Sequence, residues 1–269
     1  MRRSLNIAVG LVVTMAAIAL GHDLFLRPES FFVSPNSDVR VHVLNGTFSK
    51  SENAVSWDRI RDLSVVTPAG TMHPDSGSWS ASGDTSVLTF RTGGEGTYLV
   101  AVSTRPRSLR LEAAQFNEYL ATDGIPDILA ARRRNRELNQ PSRERYSKHV
   151  KALLQVGQRR TAGFDTVLGY PAELIALENP YERKVGSQLR VRVLVEGKPL
   201  ANQFVLSGGR TPTGRRIEQR STRSDTAGVA RIRLTSRGQW YVKFIRMTRM
   251  QGDTVDYESK WATLTFEVR

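Results

Sequence analysis

Apolar and polar residues alternate along much of the chain with the two-residue period of half-buried β-strands. Val39, Val41 and Val43 interleave with Arg40, His42 and Leu44. Leu189, Val191, Val193 and Val195 interleave with Arg190, Arg192 and Leu194. Shorter runs at Leu24–Leu26, Leu63–Thr67, Ser86–Arg91 and Thr97–Thr104 read the same way, with turns at Pro68-Ala69-Gly70 and Gly93-Gly94-Glu95-Gly96. After residue 166 come Leu174–Leu177, Gln203–Leu206, Arg216–Thr222, Val229–Leu234, Trp240–Met247 and Trp261–Val268, with Asp225-Thr226-Ala227-Gly228 as a strong turn. Many short strands between Gly/Pro/Ser turns predict β-sandwiches of the immunoglobulin-like or transthyretin-like kind.

Between the two strand-rich halves the period changes. Leu109, Leu111, Phe116, Tyr119 and Leu120 fit one helical stripe that Asp123-Gly124 ends, and Pro126 opens a second helix. Ser142 fits the cap of a third, in which Tyr146, Val150, Leu153 and Leu154 fall on one helical face before Gly157. The expected order is a leader at 1–21, an N-terminal β-sandwich at 22–104, a basic helical segment at 105–165 and an immunoglobulin-like β-sandwich at 166–269.

The leader is read from Arg2 and Arg3, the apolar run Ile7–Leu20 and the small residues that follow. The run is shorter than the ~20 residues of a spanning helix, so it reads as an export signal and places the protein in the periplasm or outside the cell. Cutting after Gly21 leaves His22 first, with an α-amine and an imidazole able to chelate a metal together. Cutting after Ala19 leaves Leu20-Gly21-His22, whose amine, two amides and imidazole suit square-planar Cu(II) or Ni(II). The alternative reading is that His22 simply starts a strand and binds nothing.

Composition narrows the chemistry. The chain carries 39 Lys+Arg against 26 Asp+Glu, a formal net charge of +13, and no cysteine. Disulfides and thiolate metal sites are therefore excluded. The positive charge suits an anionic cell-envelope polymer or lipid; nucleic acid fits an exported protein least. The basic residues cluster in the middle segment, where Arg132, Arg133, Arg134, Arg136, Arg143, Arg145, Lys148, Lys151, Arg159 and Arg160 face only Glu137 and Glu144. They form either a polyanion-binding face or a solvated helical hairpin. His42 shares the outward set of its strand with Arg40, and His73 stands beside Met72 in a loop; both are secondary metal candidates, and His149 has no evident partner. No Ser-His-Asp pattern, phosphate loop or HExxH run is present, so no catalytic residue is assigned. Asp256 and Glu258 read as charges paired to nearby arginines rather than as catalytic carboxylates.

Several motifs carry a family likeness. His22-Asp23-Leu24-Phe25-Leu26-Arg27-Pro28 resembles the mature start of an uncharacterised family of exported bacterial proteins associated with the periplasmic component of nickel and cobalt uptake systems. Phe116-Asn117-Glu118-Tyr119-Leu120, Lys151-Ala152-Leu153-Leu154-Gln155-Val156-Gly157, Leu177-Glu178-Asn179-Pro180-Tyr181 and Trp261-Ala262-Thr263-Leu264-Thr265-Phe266 are similar to later parts of the same family. The resemblance implies two sandwiches with a helical insertion, His22 as the residue to watch, and a membrane metal transporter as partner. One departure stands out: where family members often place a histidine before a methionine, this chain has Arg246-Met247, and an arginine has no lone pair to give a metal.

Three functions follow as expectations. The first is an exported accessory that binds Ni, Co or Cu through an amino-terminal histidine. The second is a structural or adhesive β-module that binds a polyanion. The third is a copper oxygenase, which needs a second histidine facing the first.

Overall fold

The computed structural model describes residues 22–269. The leader read at 1–21, with both cut positions, lies outside the described residues. The first strands are β1 (Asp23–Pro28), β2 (Phe32–Val33), β3 (Asp38–Gly46), β4 (Ile60–Thr67), β5 (Gly70–Met72), β6 (Trp79–Ser82), β7 (Thr85–Arg91), β8 (Gly96–Thr104) and β9 (Arg107–Leu111). Two helices follow, α1 (Ala113–Thr122) and α2 (Pro126–Arg134). The chain then continues through β10 (Ser142–Val156), β11 (Ala172–Ala176), β12 (Gln188–Val195), β13 (Lys198–Pro199), β14 (Phe204–Arg210), β15 (Arg216–Arg223), β16 (Val229–Arg233), β17 (Gly238–Arg249) and β18 (Tyr257–Val268).

The mainly β fold expected from the alternation is present, arranged as three layers. The middle layer is a ten-stranded sheet in the order β15-β14-β17-β18-β10-β8-β4-β5, with β2 and β9 also paired to β10. One outer layer is β1-β3-β7-β6, and the other is β11-β12-β13 with β16 on β12. The middle sheet serves both outer layers by simple alternation. Val65, Val100, Val102, Val150, Ala152 and Leu154 pack against Leu24, Leu26, Val41 and Leu88 of the first outer sheet. Val66, Leu99, Ala101 and Leu153 face the other way, with Trp240, Val242 and Leu264, onto Leu174, Val191 and Ile232 of the second. Strands from both halves of the sequence thus share one sheet. Its seam is β10 beside β18, paired in parallel from Glu144↔Tyr257 to Ala152↔Thr265.

The third helix expected after Ser142 is instead the 15-residue strand β10. A strand covered on both faces carries apolar residues at both parities, and the mixture mimics a helical spacing. The first helix is also shorter than its apolar stripe, since Leu109 and Leu111 belong to β9. The two helices that do form lie over one end of the middle sheet. Phe116, Tyr119, Leu120 and Ile125 pack there on Ile245, Met247, Tyr257 and Trp261. Among the described residues no helix is long and apolar enough to cross a membrane.

The basic segment does not form one charged face. Arg132 is buried; it donates to Ser142 Oγ at 2.8 Å and to the carbonyls of Glu137 and Gln140 at 2.7 and 2.6 Å, with its guanidinium over the Phe116 ring. Lys148 and Lys151 are buried in β10. Arg145 is spent on Asp253 and Glu258, at 2.8 and 3.2 Å. Four of the ten basic residues grouped in the sequence therefore hold the fold together, while Arg133, Arg134 and Arg136 remain exposed at the end of α2.

Candidate functional site

β1 runs beside the middle sheet so that its side chains meet those of β17 at matching intervals. Tyr241 and Lys243 lie on the same side of β17, opposite the side on which Trp240 and Val242 enter the core. The Tyr241 ring packs at a tilt of 54° against Phe25, and Lys243 meets Asp23. Phe48 completes an aromatic trio with Phe25 and Tyr241, the ring centroids 5.2–5.3 Å apart. The loop after β3 folds back over this end, because the Glu52 N–H donates to the Asn45 carbonyl at 3.0 Å. That hydrogen bond places the Glu52 carboxylate 3.1 Å from His22 Nε2. From the other side comes the end of α1, where the Asp123 N–H caps the Tyr119 carbonyl. Gly124, at φ +85°, then turns the chain tightly over Leu206, where a side chain would collide.

These elements enclose an open cleft of about 660 Å³, lined by the His22–Glu52 pair, by the more deeply buried Asp23, Asp123 and Lys243 that form its floor, and by Arg210 and Arg216. The Lys243 ammonium is 5% exposed; it pairs with Asp23 Oδ2 and lies 3.4 Å from Asp123 Oδ1. Burial opposes its charge, but the two carboxylates outweigh burial and hold the proton more firmly than usual. Burial pushes Asp123 up to about 6; the Asp23 charge adds to the rise and Lys243 opposes it. The second oxygen of Asp23, Oδ1, is buried without a hydrogen-bond partner. Behind the floor, Lys148 donates to the His22 main-chain carbonyl and, at 3.0 Å, to Asn45 Oδ1. Burial lowers its ammonium to about 8.

The histidines singled out in the sequence are not brought together. His22 faces Glu52, His42 faces Glu29 at 3.2 Å, and His73 faces Asp62 at 3.6 Å. His42 shares Glu29 with Arg40, as its outward strand position implies. His149 is buried between Ser103 Oγ and Ser147 Oγ, at 2.9 and 3.0 Å. Arg246, at the departing position, lines a separate 260 Å³ cleft with Lys198, Glu258 and Lys260. Among the described residues no group of three or more His, Asp or Glu side chains is arranged to hold a metal ion. Asp256 accepts from the Arg143 N–H at 2.7 Å, and Glu258 pairs with Arg145 and Lys260.

Sequence reasoning missed Asp23, Glu52, Asp123, Lys148 and Lys243 as members of this site. The available signal was a lysine inside an apolar run, as in Trp240-Tyr241-Val242-Lys243-Phe244-Ile245. A buried lysine requires a partner, and the partner sits at a distant point of the chain.

No curated protein matches the sequence. Solved structures give only faint likeness. A tetra-tandem repeat from the extending region of a large adhesion protein is 11% identical, with TM-score 0.22, and aligns with 92% of this chain. The chain spans about half of that structure, 50%. Native alpha-2-macroglobulin from Escherichia coli, over domains MG0-NIE-MG1, is 10% identical, with 92% of this chain and 95% of that one covered and TM-score 0.21. The informative match is the family model, which covers residues 19–248, and the chain accordingly belongs to the family described as a domain of unknown function, DUF4198.

Proposed function

We propose that the protein is an exported accessory that binds a divalent transition metal (Ni, Co or Cu) at His22 and serves a membrane metal transporter. The observation that carries this reading is the Glu52 carboxylate 3.1 Å from His22 Nε2. A carboxylate there favours the ring proton on Nε2 and leaves the Nδ1 lone pair free. Nδ1 is the nitrogen nearest the residue's own main chain. A leader cut after Gly21 would put an α-amine within chelating reach of it, and amine plus imidazole suit these ions. Among the described residues no side chains make a three-ligand site; the amine and Nδ1 would give two donors, with a third ligand supplied from elsewhere.

In this reading Lys148, through the His22 carbonyl, and Asp23, through Lys243, hold the amino-terminal residue in place at the cleft wall. The two outer sheets and the shared middle sheet act as a pair of fused immunoglobulin-like or transthyretin-like sandwiches that frame the cleft. His42 and His73 stand apart and take no part. Among the described residues no second histidine faces His22, as the copper-oxygenase alternative needs, and four of the ten basic residues the polyanion alternative relies on are engaged within the fold.

The test is calorimetric titration of Ni(II) and Cu(II) into protein exported by its own host, after its first residue has been read by mass spectrometry. Binding is expected in the mature protein and absent both from His22→Ala and from protein whose amino terminus is extended by a tag upstream of Leu20, which takes the α-amine out of reach of either chelate. Equal affinity in all three would overturn the reading.

A further inference from the structure

The floor of the cleft carries a second chemistry, independent of the metal reading. Lys243 is one of the most deeply buried charges among the described residues, and its ammonium touches two carboxylates from distant points of the sequence, Asp23 and Asp123. Asp23 lies 220 residues away in sequence and is 13% exposed. Phe25, Phe48 and Tyr241 wall the pair on one side. Asp23 presents one oxygen to the amine, while the other is buried and has no hydrogen-bond partner among the described residues. A simple structural ion pair would be expected to satisfy that oxygen.

We propose that Lys243 and Asp23 are joined by an intramolecular amide bond, Nζ to Cγ, which the folded chain forms by itself with Asp123 as the proton carrier. The step is a condensation and needs no oxidant or reductant. A proton passes from the ammonium to the Asp23 carboxyl across their contact, giving an amine and an acid. Burial favours this neutral pair and the two carboxylates oppose it, so the step draws on a minor population held in contact with the reacting carbon. The amine lone pair attacks Cγ, and the N–C bond forms as the C=O electrons move onto oxygen. Asp123, 3.4 Å from Nζ, takes the surplus amine proton and returns it to the departing hydroxyl. The C–O bond breaks, water leaves, and Asp123 is regenerated. The raised proton affinity of Asp123 suits a group that must both give and accept a proton near neutral pH.

A second buried pair shows what is special here. Lys151 Nζ lies 2.5 Å from Glu173 Oε2, and both side chains are at least as deeply buried. Both Glu173 oxygens, however, are occupied by main-chain amides, from Leu168 at 2.9 Å and Tyr170 at 3.0 Å. Among the described residues no second carboxylate pairs with Lys151. With no carrier for the proton and no free oxygen, that pair remains ionic.

Mass spectrometry decides the matter on the wild-type full chain. Its denatured intact mass, referred to the first residue actually present, should fall one water, about 18 Da, below that of the sequence. A tryptic digest should leave the bond after Lys243 uncut and yield a branched peptide containing Asp23. Lys151 should be cut normally. Asp123→Asn and Lys243→Arg should both return the full mass. A wild-type protein at full mass, cut by trypsin after Lys243, overturns the proposal whether or not the variants fold. A linked Asp123→Asn protein overturns the part assigned to Asp123. Metal titration is a separate readout: the amide can be present while His22 binds nothing, and the reverse.

Discussion

The Lys148 ammonium donates to the main-chain carbonyl of His22 across 126 residues of sequence, so the centre of β10 fixes the start of β1. The same ammonium lies 5.4 Å from the Trp261 ring centroid and 5.5 Å from that of Tyr146. In Lys148→Met the stem is retained and the donor lost. The fold should persist by circular dichroism, while Ni(II) affinity at the mature amino terminus falls by roughly tenfold, the scale of a lost supporting contact to a metal ligand. An unchanged affinity would separate Lys148 from the site.

Lys148 also imposes a pH dependence. Its folded-state value of about 8 lies below the ordinary 10.5 because burial disfavours the ammonium. Between those values the unfolded chain holds a proton that the folded chain has released, so this group's contribution makes stability rise with pH across that interval. Below about pH 8 the burial cost is present in full. Urea unfolding from pH 8 to 10.5 should therefore show a rising component that Lys148→Met removes.

Glu144 acts in the opposite direction. It is 1% exposed under α1, where its Oε1 accepts from Tyr119 Oη at 3.0 Å and from Ser259 Oγ. Burial pushes its carboxyl up to about 7 from 4.5. A raised acid contributes stability fully below the unfolded value and loses it as pH rises through the folded one. The loss between pH 4.5 and 7 amounts to the order of 3 kcal/mol. Glu144→Gln keeps an acceptor for both hydroxyls but cannot ionise. Its unfolding free energy should be flatter than wild type over that interval, with the advantage to the variant at pH 8.

His149 was the histidine with no evident ligand partner, and the structure gives it two serines and a core position instead. Burial lowers it to about 3, so the folded protein keeps it neutral where the unfolded chain, at 6.5, takes up a proton. Its contribution is lost as pH falls from 6.5 towards 3. His149→Phe strands the Ser103 and Ser147 hydroxyls and should cost about 2–4 kcal/mol at pH 7, by the usual penalty for two unsatisfied buried groups. The same variant should lose the His149 component of acid unfolding. A thermal melt at pH 7 and another at pH 4.5 suffice to see both effects.

Much of the fold was legible because alternation is local. The outer strands at Val39–Val43 and Leu189–Val195 have one face in the core and one in water, and their pattern says so. β10 was misread because both its faces are covered, which erases the alternation and leaves only an average of apolar positions. Of the residues lining the cleft, the sequence singles out His22, because the expected end of a leader and a histidine adjoin there. The cleft's other members were hidden for a geometric reason. Asp23, Glu52, Asp123 and Lys243 come from a strand start, a hairpin loop, a helix end and the middle of a distant strand. Only the layering of β1 on β17 places them together.

The buried pair of Lys151 and Glu173 tests how much of this β-protein rests on paired charge rather than on apolar packing. Their side chains are 2% and 0% exposed, and Lys151 also donates to the Thr166 carbonyl at 3.1 Å. Glu173 holds the Leu168 and Tyr170 amides, so it anchors the loop leading into β11 as well as the cation. Lys151→Met leaves a buried carboxylate with its two amides but no counter-charge, and by the usual cost of breaking such a pair should destabilise the protein by about 3–5 kcal/mol. Adding Glu173→Gln removes the stranded charge while keeping an acceptor for one amide, and should recover part of the loss. Urea unfolding of wild type, the single variant and the double variant measures this directly. A single variant within about 1 kcal/mol of wild type would mean that solvent reaches Glu173 or that the carboxyl takes up a proton, and would remove this pair as a determinant of how β10 joins the second outer sheet.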